Sequence, residues 1–460
     1  MAEENVDNLV ETPLDTAYYS QDASIDKLQI ITVTGQAIDV KKLLIEFSYY
    51  EDIFNFVVSG YIILRDAIGL IEKLQLTGKE FIEISFGKAR GLNTVNNDFV
   101  FRLYAIPKRT PSGNLNAEYI KLHFCSEELF LSEQIKVTKS YSGKPIYSNV
   151  YDVLVDKLKV NPKRVIVEQT EGNYDFNVNT LRPFEAISWM SCYARPSINN
   201  TVGADMLMYE TRDGFNFRSI SSLLKQPIYK TYTYQPKNLE NSDFGNQLNT
   251  VLEYEFIKTF NSLDDINSGT FANRLISLDP LNRTVKVTNF DYEKYLNQTG
   301  GKTSALATAP NRLGLTQNQA YTGTLKLGVT NSEQKLRPYV QQGVGSLAND
   351  IYFEKFVPNR TAQLSLATYT KVKLKIPGDS AITVGKTIDF NLMTLMQTDE
   401  TEKGFDRYYS GKYLVTAVRH VIQPINGQYQ TILEIAKDSS EKQPQNVNNS
   451  DPVWKDAKSS

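Results

Sequence analysis

The stretch that most limits what this chain can fold into lies near its C-terminal end, where two alternating segments are joined by Asn-Gly. Lys412 to Ile422 and Gln428 to Ala436 are rich in Val, Ile, Thr and Tyr, and Pro424-Ile-Asn-Gly427 stands between them. Asn-Gly between alternating runs is the strongest short-range hairpin signal, because both turn residues tolerate positive φ. Upstream, Lys371 to Ile376 puts Val372, Leu374 and Ile376 on one face and three lysines on the other. Pro377-Gly378-Asp379 then makes a turn before Gly385 to Phe390. A helix cannot use a period of two, so this block is sheet.

The same style recurs near the N-terminal end. Leu28 to Thr34 ends at Gly35, and Leu43 to Tyr49 continues. Phe54 to Leu64 is β-branched and aromatic, with a helical turn expected over Arg65 to Leu74. Phe81 to Phe86 places Ile82, Ile84 and Phe86 on one face. Phe99 to Ile106 and Glu118 to Phe124 add two strands around Pro107 and Pro111-Ser-Gly. Short strands with regular turn signals predict a small barrel or sandwich.

Between these blocks the period changes. Ser148 to Leu158 spaces Val150, Tyr151, Leu154, Val155 and Leu158 as a helix, with Ser148 or Asn149 placed to cap it. Pro183 to Tyr193 predicts a second helix with Pro183 in its first turn. Asp205 to Arg218 reads as a hairpin turning at Asp213-Gly214, followed by a short helix over Ser219 to Leu224. Strand patterning returns at Tyr229 to Thr233, Leu252 to Ile257 and Arg283 to Thr288. Residues 300–346 are rich in Thr, Ala, Gly, Asn and Gln without a sustained period, and read as long ordered loops or an inserted arm. A helix is expected over Arg360 to Thr370.

The expected fold class is therefore a β-rich α+β chain. Its expected divisions are an N-terminal arm (1–24), a first β-barrel (25–139), an α+β module (140–228), and a second, discontinuous β-barrel (229–260 with 350–438). A loop-rich insert (261–349) and a polar tail (439–460) complete it. Its 460 residues agree with about three domains. Letter-for-letter repetition between the two β-rich blocks is not evident.

Chemistry is scarce. Two histidines, His123 and His420, and two cysteines, Cys125 and Cys192, leave little for zinc, haem or a disulfide framework. His123 and Cys125 share a strand face, but two donors do not make a tetrahedral site. His420 lies in an apolar strand, and no Gly-x-Ser-x-Gly elbow accompanies it. Gly300-Gly-Lys-Thr303 and Gly385-Lys-Thr387 fail the phosphate-loop spacing, since Leu296 and Ser380 occupy the positions that need glycine. Glu127-Glu128 and Asp264-Asp265 read as solvated acids at loop ends rather than a paired acid and base. No catalytic, cofactor-binding or metal residue is nominated, and no cofactor is expected.

Lys and Arg total 50 against 52 Asp and Glu, a net charge of −2, so no basic surplus points to specific nucleic-acid binding. The acidic start, Met1-Ala-Glu-Glu, is not expected to be a signal peptide, and no run is long and apolar enough for a membrane span.

One segment, Met206 to Leu224, resembles a stretch found in baseplate hub proteins of contractile-tailed bacteriophages. There a hydrophobic strand meets Glu-Thr, turns at a glycine and returns through Phe-x-Phe to a Ser-Ile-x-x-Leu helix. Arg182 to Trp189 resembles that family's preceding helix. Tyr408 to His420 is similar to its closing strand, with Pro377-Gly-Asp and Val384-Gly-Lys upstream. The resemblance covers about 25–258 and 350–438.

It implies two tail-tube-like β-barrel domains flanking the α+β module, and a homotrimer whose six such domains form a pseudo-sixfold ring. That ring would join a hexameric tail tube protein to a trimeric central spike protein, among other baseplate (wedge) proteins. Its channel would pass DNA without gripping it. The expected role is structural rather than enzymatic, in the virion tail, with assembly in the bacterial cytoplasm. Another tube-end or adaptor protein, or a glycan-cleaving tail enzyme, are the alternatives.

Overall fold

A computed structural model describes residues 23–74, 76–88, 97–111, 117–197, 205–234, 248–259, 261, 263, 270, 272–279, 284–291, 325–329, 357–393, 405–406 and 408–437. The polar tail, Asp264-Asp265, Gly300 to Thr303 and nearly all of the N-terminal arm lie outside these residues.

The N-terminal strands are β1 (Ala23–Ile31), β2 (Ala37–Asp39), β3 (Leu44–Asp52), β4 (Ser59–Asp66), β5 (Phe81–Lys88), β6 (Asn97–Pro111) and β7 (Glu118–Cys125), with the short helix α1 (Leu70–Leu74) after β4. They pair antiparallel in the order β3-β4-β7-β6-β5-β1-β2. The sheet folds over a core that includes Phe47, Tyr49, Ile62, Leu64, Phe86, Leu122 and Phe124, and of the two faces expected for Phe81 to Phe86 the one carrying Ile82, Ile84 and Phe86 is buried in it. Gly60 of β4 lets these layers close: a Cβ there would stand 2.2 Å from the Ser48 carbonyl oxygen and 2.4 Å from the Phe124 ring. The strand expected over Phe54 to Leu64 begins only at Ser59, because Asp52 turns the chain by accepting from the Phe54 amide. Arg65 and Asp66 still belong to β4, and the Asp66 carboxylate receives the amides of Ile68 and Leu70 as helix α1 starts.

Next come α2 (Glu127–Gln134), β8 (Val137–Lys144), α3 (Ile146–Asp152), β9 (Val165–Val167), β10 (Tyr174–Leu181), α4 (Pro183–Ser191), β11 (Met206–Thr211), β12 (Gly214–Ser219) and α5 (Ile220–Leu224). Helix α3 starts before the expected caps Ser148 and Asn149, after Pro145, and relaxes into a π turn over Val153–Lys157. In α4, Pro183 opens the first turn and Glu185 accepts from the Arg182 amide. Ser219 caps α5 by accepting from the Ser222 amide. The β11–β12 hairpin turns at Arg212-Asp213, one residue earlier than expected, since Thr211 pairs with Gly214. Gly214 (φ +132°) is needed because β12 runs beside β9, where a Cβ would stand 2.0 Å from the Arg164 carbonyl oxygen. Val150, Leu154, Val178, Phe184, Ile187, Met206 and Phe217 form the core here.

The C-terminal elements are β13 (Ile228–Tyr234), β14 (Glu253–Lys258), β15 (Ala272–Asp279), β16 (Thr284–Asp291), β17 (Leu325–Val329), α6 (Val357–Ala367), β18 (Thr370–Pro377), β19 (Thr387–Leu392), β20 (Gly411–Gln423) and β21 (Gln428–Lys437). Strand β17 falls inside the stretch read as loops and pairs in parallel with β15, so that reading is corrected there. Strand β21 runs one residue beyond the expected end: Lys437 is buried, its ammonium donating to the Tyr408 and Ser410 carbonyls. The sheet order is β14-β18-β21-β20, with β19 on β20 and β13 on β19. Two backbone bonds at Thr233, with Asn249 and Val251, bring β13 back towards β14. The predicted lysine face and apolar face of β18 are both present, with Val372, Leu374 and Ile376 in the core.

A topological repeat joins the two ends of the chain. Strands β3, β4, β5, β6 and β7 pair in the spatial order β3-β4-β7-β6-β5, and β14, β18, β19, β20 and β21 pair as β14-β18-β21-β20-β19. Chain order, spatial order and antiparallel sense all correspond. The two copies also fuse: Ala417–Ile422 of β20 pairs antiparallel with Asp52–Phe47 of β3. One sheet therefore runs unbroken from β14 to β6, eight strands across.

Candidate functional site

The outward face of that eight-strand run is mostly polar, with Ile432, Val421 and Ile63 set among its charged side chains. Alternation decides it: where Val372, Leu374, Val418, Leu433, Phe47 and Leu122 point into the cores, their sequence neighbours point away. Cation and carboxylate stand opposite each other across the strands. Lys371 lies 2.7 Å from Glu434, Lys373 3.1 Å from Glu255, and Lys375 3.5 Å from Glu253. At the β20–β3 seam Arg419 lies 3.5 Å from Glu46 and donates to the Tyr61 hydroxyl at 2.8 Å and to Ser48 at 3.2 Å. Glu46 also accepts from Tyr61 and Gln423. Burial opposes the Glu46 charge, but these hydrogen bonds and Arg419 outweigh it and hold its pKa below the ordinary value. Further along, the Lys121 ammonium sits 3.7 Å over the Tyr61 ring and Tyr104 meets His123 at 3.2 Å. Partly exposed pairs of this kind add little stability each, about 0–1 kcal/mol. What they do is neutralise the wall: a lysine sharing a carboxylate has little to gain from a phosphate.

A second constellation links the two halves. The β11–β12 hairpin reaches into the seam, and Glu51 of β3 is buried there. Its carboxylate accepts from the Tyr49 hydroxyl (2.8 Å), the Arg212 amide (3.0 Å) and the Val384 amide (3.1 Å). One side chain thus holds the N-terminal sheet, the hairpin tip and the C-terminal sheet. Arg212 extends the link, donating to the Ser380 carbonyl at 2.7 Å, which also accepts from Asn97. Below it, Glu210 accepts from the Val58 amide (3.0 Å), Ser126 (2.5 Å) and Arg164 (3.3 Å). Burial, and then the neighbouring Glu128 charge, push Glu210 up to about 8.

The residues weighed for chemistry fall elsewhere. Glu127 and Glu128 open helix α2 rather than ending a loop, and burial raises Glu128. Glu210 entered the sequence reading only as the Glu of the Glu-Thr in Met206 to Leu224; it is 3% exposed and accepts from three donors. Cys125 is buried, which raises its thiol to about 12. Gly385 (φ +80°) makes a turn into β19, its amide bonded to the Val415 carbonyl. Among the described residues no group of three or more His, Cys, Asp or Glu is placed to hold a metal, and no helix there is long and apolar enough to cross a membrane.

His420 is fully buried beside Tyr429, whose hydroxyl lies 2.9 Å from Nδ1. Burial lowers its pKa to about 4 from an ordinary 6.5. Below pH 6.5 the unfolded chain takes up a proton that the folded one refuses, so this contribution is complete above 6.5 and is lost as the pH falls towards 4. The loss is expected to reach roughly 3 kcal/mol. Urea midpoints of parent and His420→Gln from pH 7 to 4 should diverge in that window; parallel curves would show that the imidazole titrates normally.

Two topological repeats fused in one eight-strand sheet and tied together by a hairpin define the fold. No family model matches the chain. A tail protein from Neisseria meningitidis MC58 shares the fold with a TM-score of 0.51 and 8% identity, over 91% of this chain and 99% of that one. The 43 kDa tail protein of prophage MuSo2 from Shewanella oneidensis does so with a TM-score of 0.50 and 7% identity, over 90% and 99%. In sequence the chain is similar to the "Probable baseplate hub protein gp334" of Vibrio phage KVP40, 25% identical over 423 residues, which is 88% of this chain and 92% of that protein. The resemblance first carried by Met206 to Leu224 thus extends along most of the chain.

Proposed function

We propose that this chain is a structural baseplate hub subunit of a contractile tail. Two tube-like units, about 25–139 and 229–260 with 350–438, flank the α+β module at 140–228. Three chains form a homotrimeric ring with pseudo-sixfold symmetry. The ring adapts a hexameric tail tube protein to a trimeric central spike and contacts other baseplate (wedge) proteins, in a virion tail assembled in the host cytoplasm. The observation that carries this reading is the repeat: two units of one topology, side by side in one sheet, give each chain two of six ring positions. The relative's printed description and the tail-protein fold support it. The charge-paired face lines the channel, and its ion pairs let DNA pass without a tight grip. The role is scaffolding, with no turnover.

Light scattering on the purified chain, with the candidate spike absent and then present, tests this. A mass of about 156 kDa, three times 52.1 kDa, is expected in at least one condition. A monomer in both would overturn it.

A further inference from the structure

We propose that the acidic segment 1–22 docks on the basic loop 157–164 of its own chain, as a charge-neutralising strap on the α+β module. The inference is independent of the ring reading.

Charge supplies the first argument. The net charge of −2 conceals two blocks of opposite sign. Segment 1–22 holds Glu3, Glu4, Asp7, Glu11, Asp15 and Asp22, and has neither Lys nor Arg. Loop 157–164 reads Lys-Leu-Lys-Val-Asn-Pro-Lys-Arg, four cations without an acid. The fold turns those cations outward. Leu158 and Val160 are buried in the core of the module, and the Leu154 carbonyl accepts from the Val160 amide. The lysines beside them are left at the surface: Lys159 and Lys163 are exposed and Lys157 is half-buried. Arg164 lies 3.3 Å from Glu210, but the three lysines form no ion pair among the described residues. Like charges this close repel one another and gain from an anion laid across them. Docked there, the segment does for this loop what the paired carboxylates do for the wall, leaving no free cation strip for a phosphate backbone.

Position supplies the second argument. Segment 1–22 joins the fold at Ala23, the first residue of β1. In register, Ile25 stands opposite Phe86 and Phe86 opposite Asn97, so β1 begins two strand spacings, about 10 Å, from Asn97. Arg212 at the hairpin tip donates to the Asn97 side chain at 3.5 Å, and two residues on, Gly214 lies against Arg164. The segment therefore enters the structure within a hairpin's width of loop 157–164. Glu11 stands twelve residues before Ala23, a tether of up to about 40 Å. Asp7 and Glu11 thus reach the lysines without strain.

Zero-length carbodiimide coupling of the full chain at low concentration, followed by peptide mapping, tests the docking. The expected product joins an acid between Glu3 and Asp15 to Lys157, Lys159 or Lys163, in material that runs at 52.1 kDa after denaturation. Lys375–Glu253 coupling serves as the within-chain control. A second readout is cleavage after Glu11 by a Glu-specific protease, which needs an undocked backbone. Lys157→Glu with Lys163→Glu, both outside the cores, should speed that cleavage at least about tenfold, and adding Asp7→Lys with Asp15→Lys should slow it again. Lys159 is kept, because its φ of +57° makes that position sensitive to any substitution. High salt should act on the parent as the reversals do. Links confined to covalent dimers and trimers would overturn docking within one chain and give the strap to a neighbouring copy. No link to these lysines, or cleavage of the parent at the rate of a free 1–22 peptide, would overturn it outright.

Discussion

A Glu51→Ala chain is expected to lose about 3–5 kcal/mol of stability and to loosen first at the seam between its two sheet halves. The carboxylate is buried and serves three donors from three parts of the fold: the Tyr49 hydroxyl and the amides of Arg212 and Val384. Alanine leaves all three unpaired away from water, and each orphaned buried donor costs about 1–3 kcal/mol. Burial raises the Glu51 pKa, so Glu51→Gln, which keeps one acceptor oxygen, should be much milder. Hydrogen exchange supplies the local readout. The Arg212 and Val384 amides should lose protection well before the β20–β21 ladder, which does not depend on Glu51. Unchanged protection at those two amides would show that the carboxylate does not hold the halves together.

Val415→Pro should be at least as damaging, by about 3 kcal/mol or more. The Val415 amide donates to the Lys386 carbonyl at 2.8 Å, and the Val415 carbonyl accepts from Gly385 at 2.9 Å. A proline ring removes the donor, orphans a carbonyl and fixes φ in the middle of a sheet. The position is also where β20 passes from its β19 partner to its β3 partner, with a register shift between Val415 and Ala417. A break there should lower the melting temperature and abolish the proposed ring assembly. A variant that melts and assembles like the parent would refute the described path of residues 411–423.

Local signals were legible wherever the chemistry was local. The strand faces of Phe81 to Phe86 and Lys371 to Ile376, and the existence of the β20–β21 hairpin, follow from period and turn preference alone, although its loop is four residues long, Pro424 to Gly427, with Gly427 and not Asn426 at positive φ. Pro183 at the start of α4 was likewise readable, and the short helix expected over Ser219 to Leu224 is present with Ser219 as its cap. Where the signal was a preference with a competitor, it slipped by a residue or a turn. The β11–β12 turn moved to Arg212-Asp213, because close packing on β9 uses Gly214 for its missing Cβ rather than for a turn position. Helix α3 began before its two nominal caps. Glu128 looked like a solvated loop acid because nothing local says that helix α2 carries it towards Glu210.

The seam and the repeat had no such signal. Five strands recur in one order and sense at both ends of the chain without recurring in letters, since a strand position asks only for an inward or outward side chain and many residues satisfy that. Glu51, Arg212 and Val384 meet although 161 and 333 residues separate Glu51 from the other two. By itself, then, the sequence determined which segments are strands, which of their faces are apolar and where hairpins turn, because those depend on side chains and backbone torsions a few residues apart. Which strand lies beside which, and therefore which cations meet which carboxylates along the wall, was decided only by the tertiary structure. Every strand offers the same backbone donors and acceptors, and only the packing of the assembled cores selects among them.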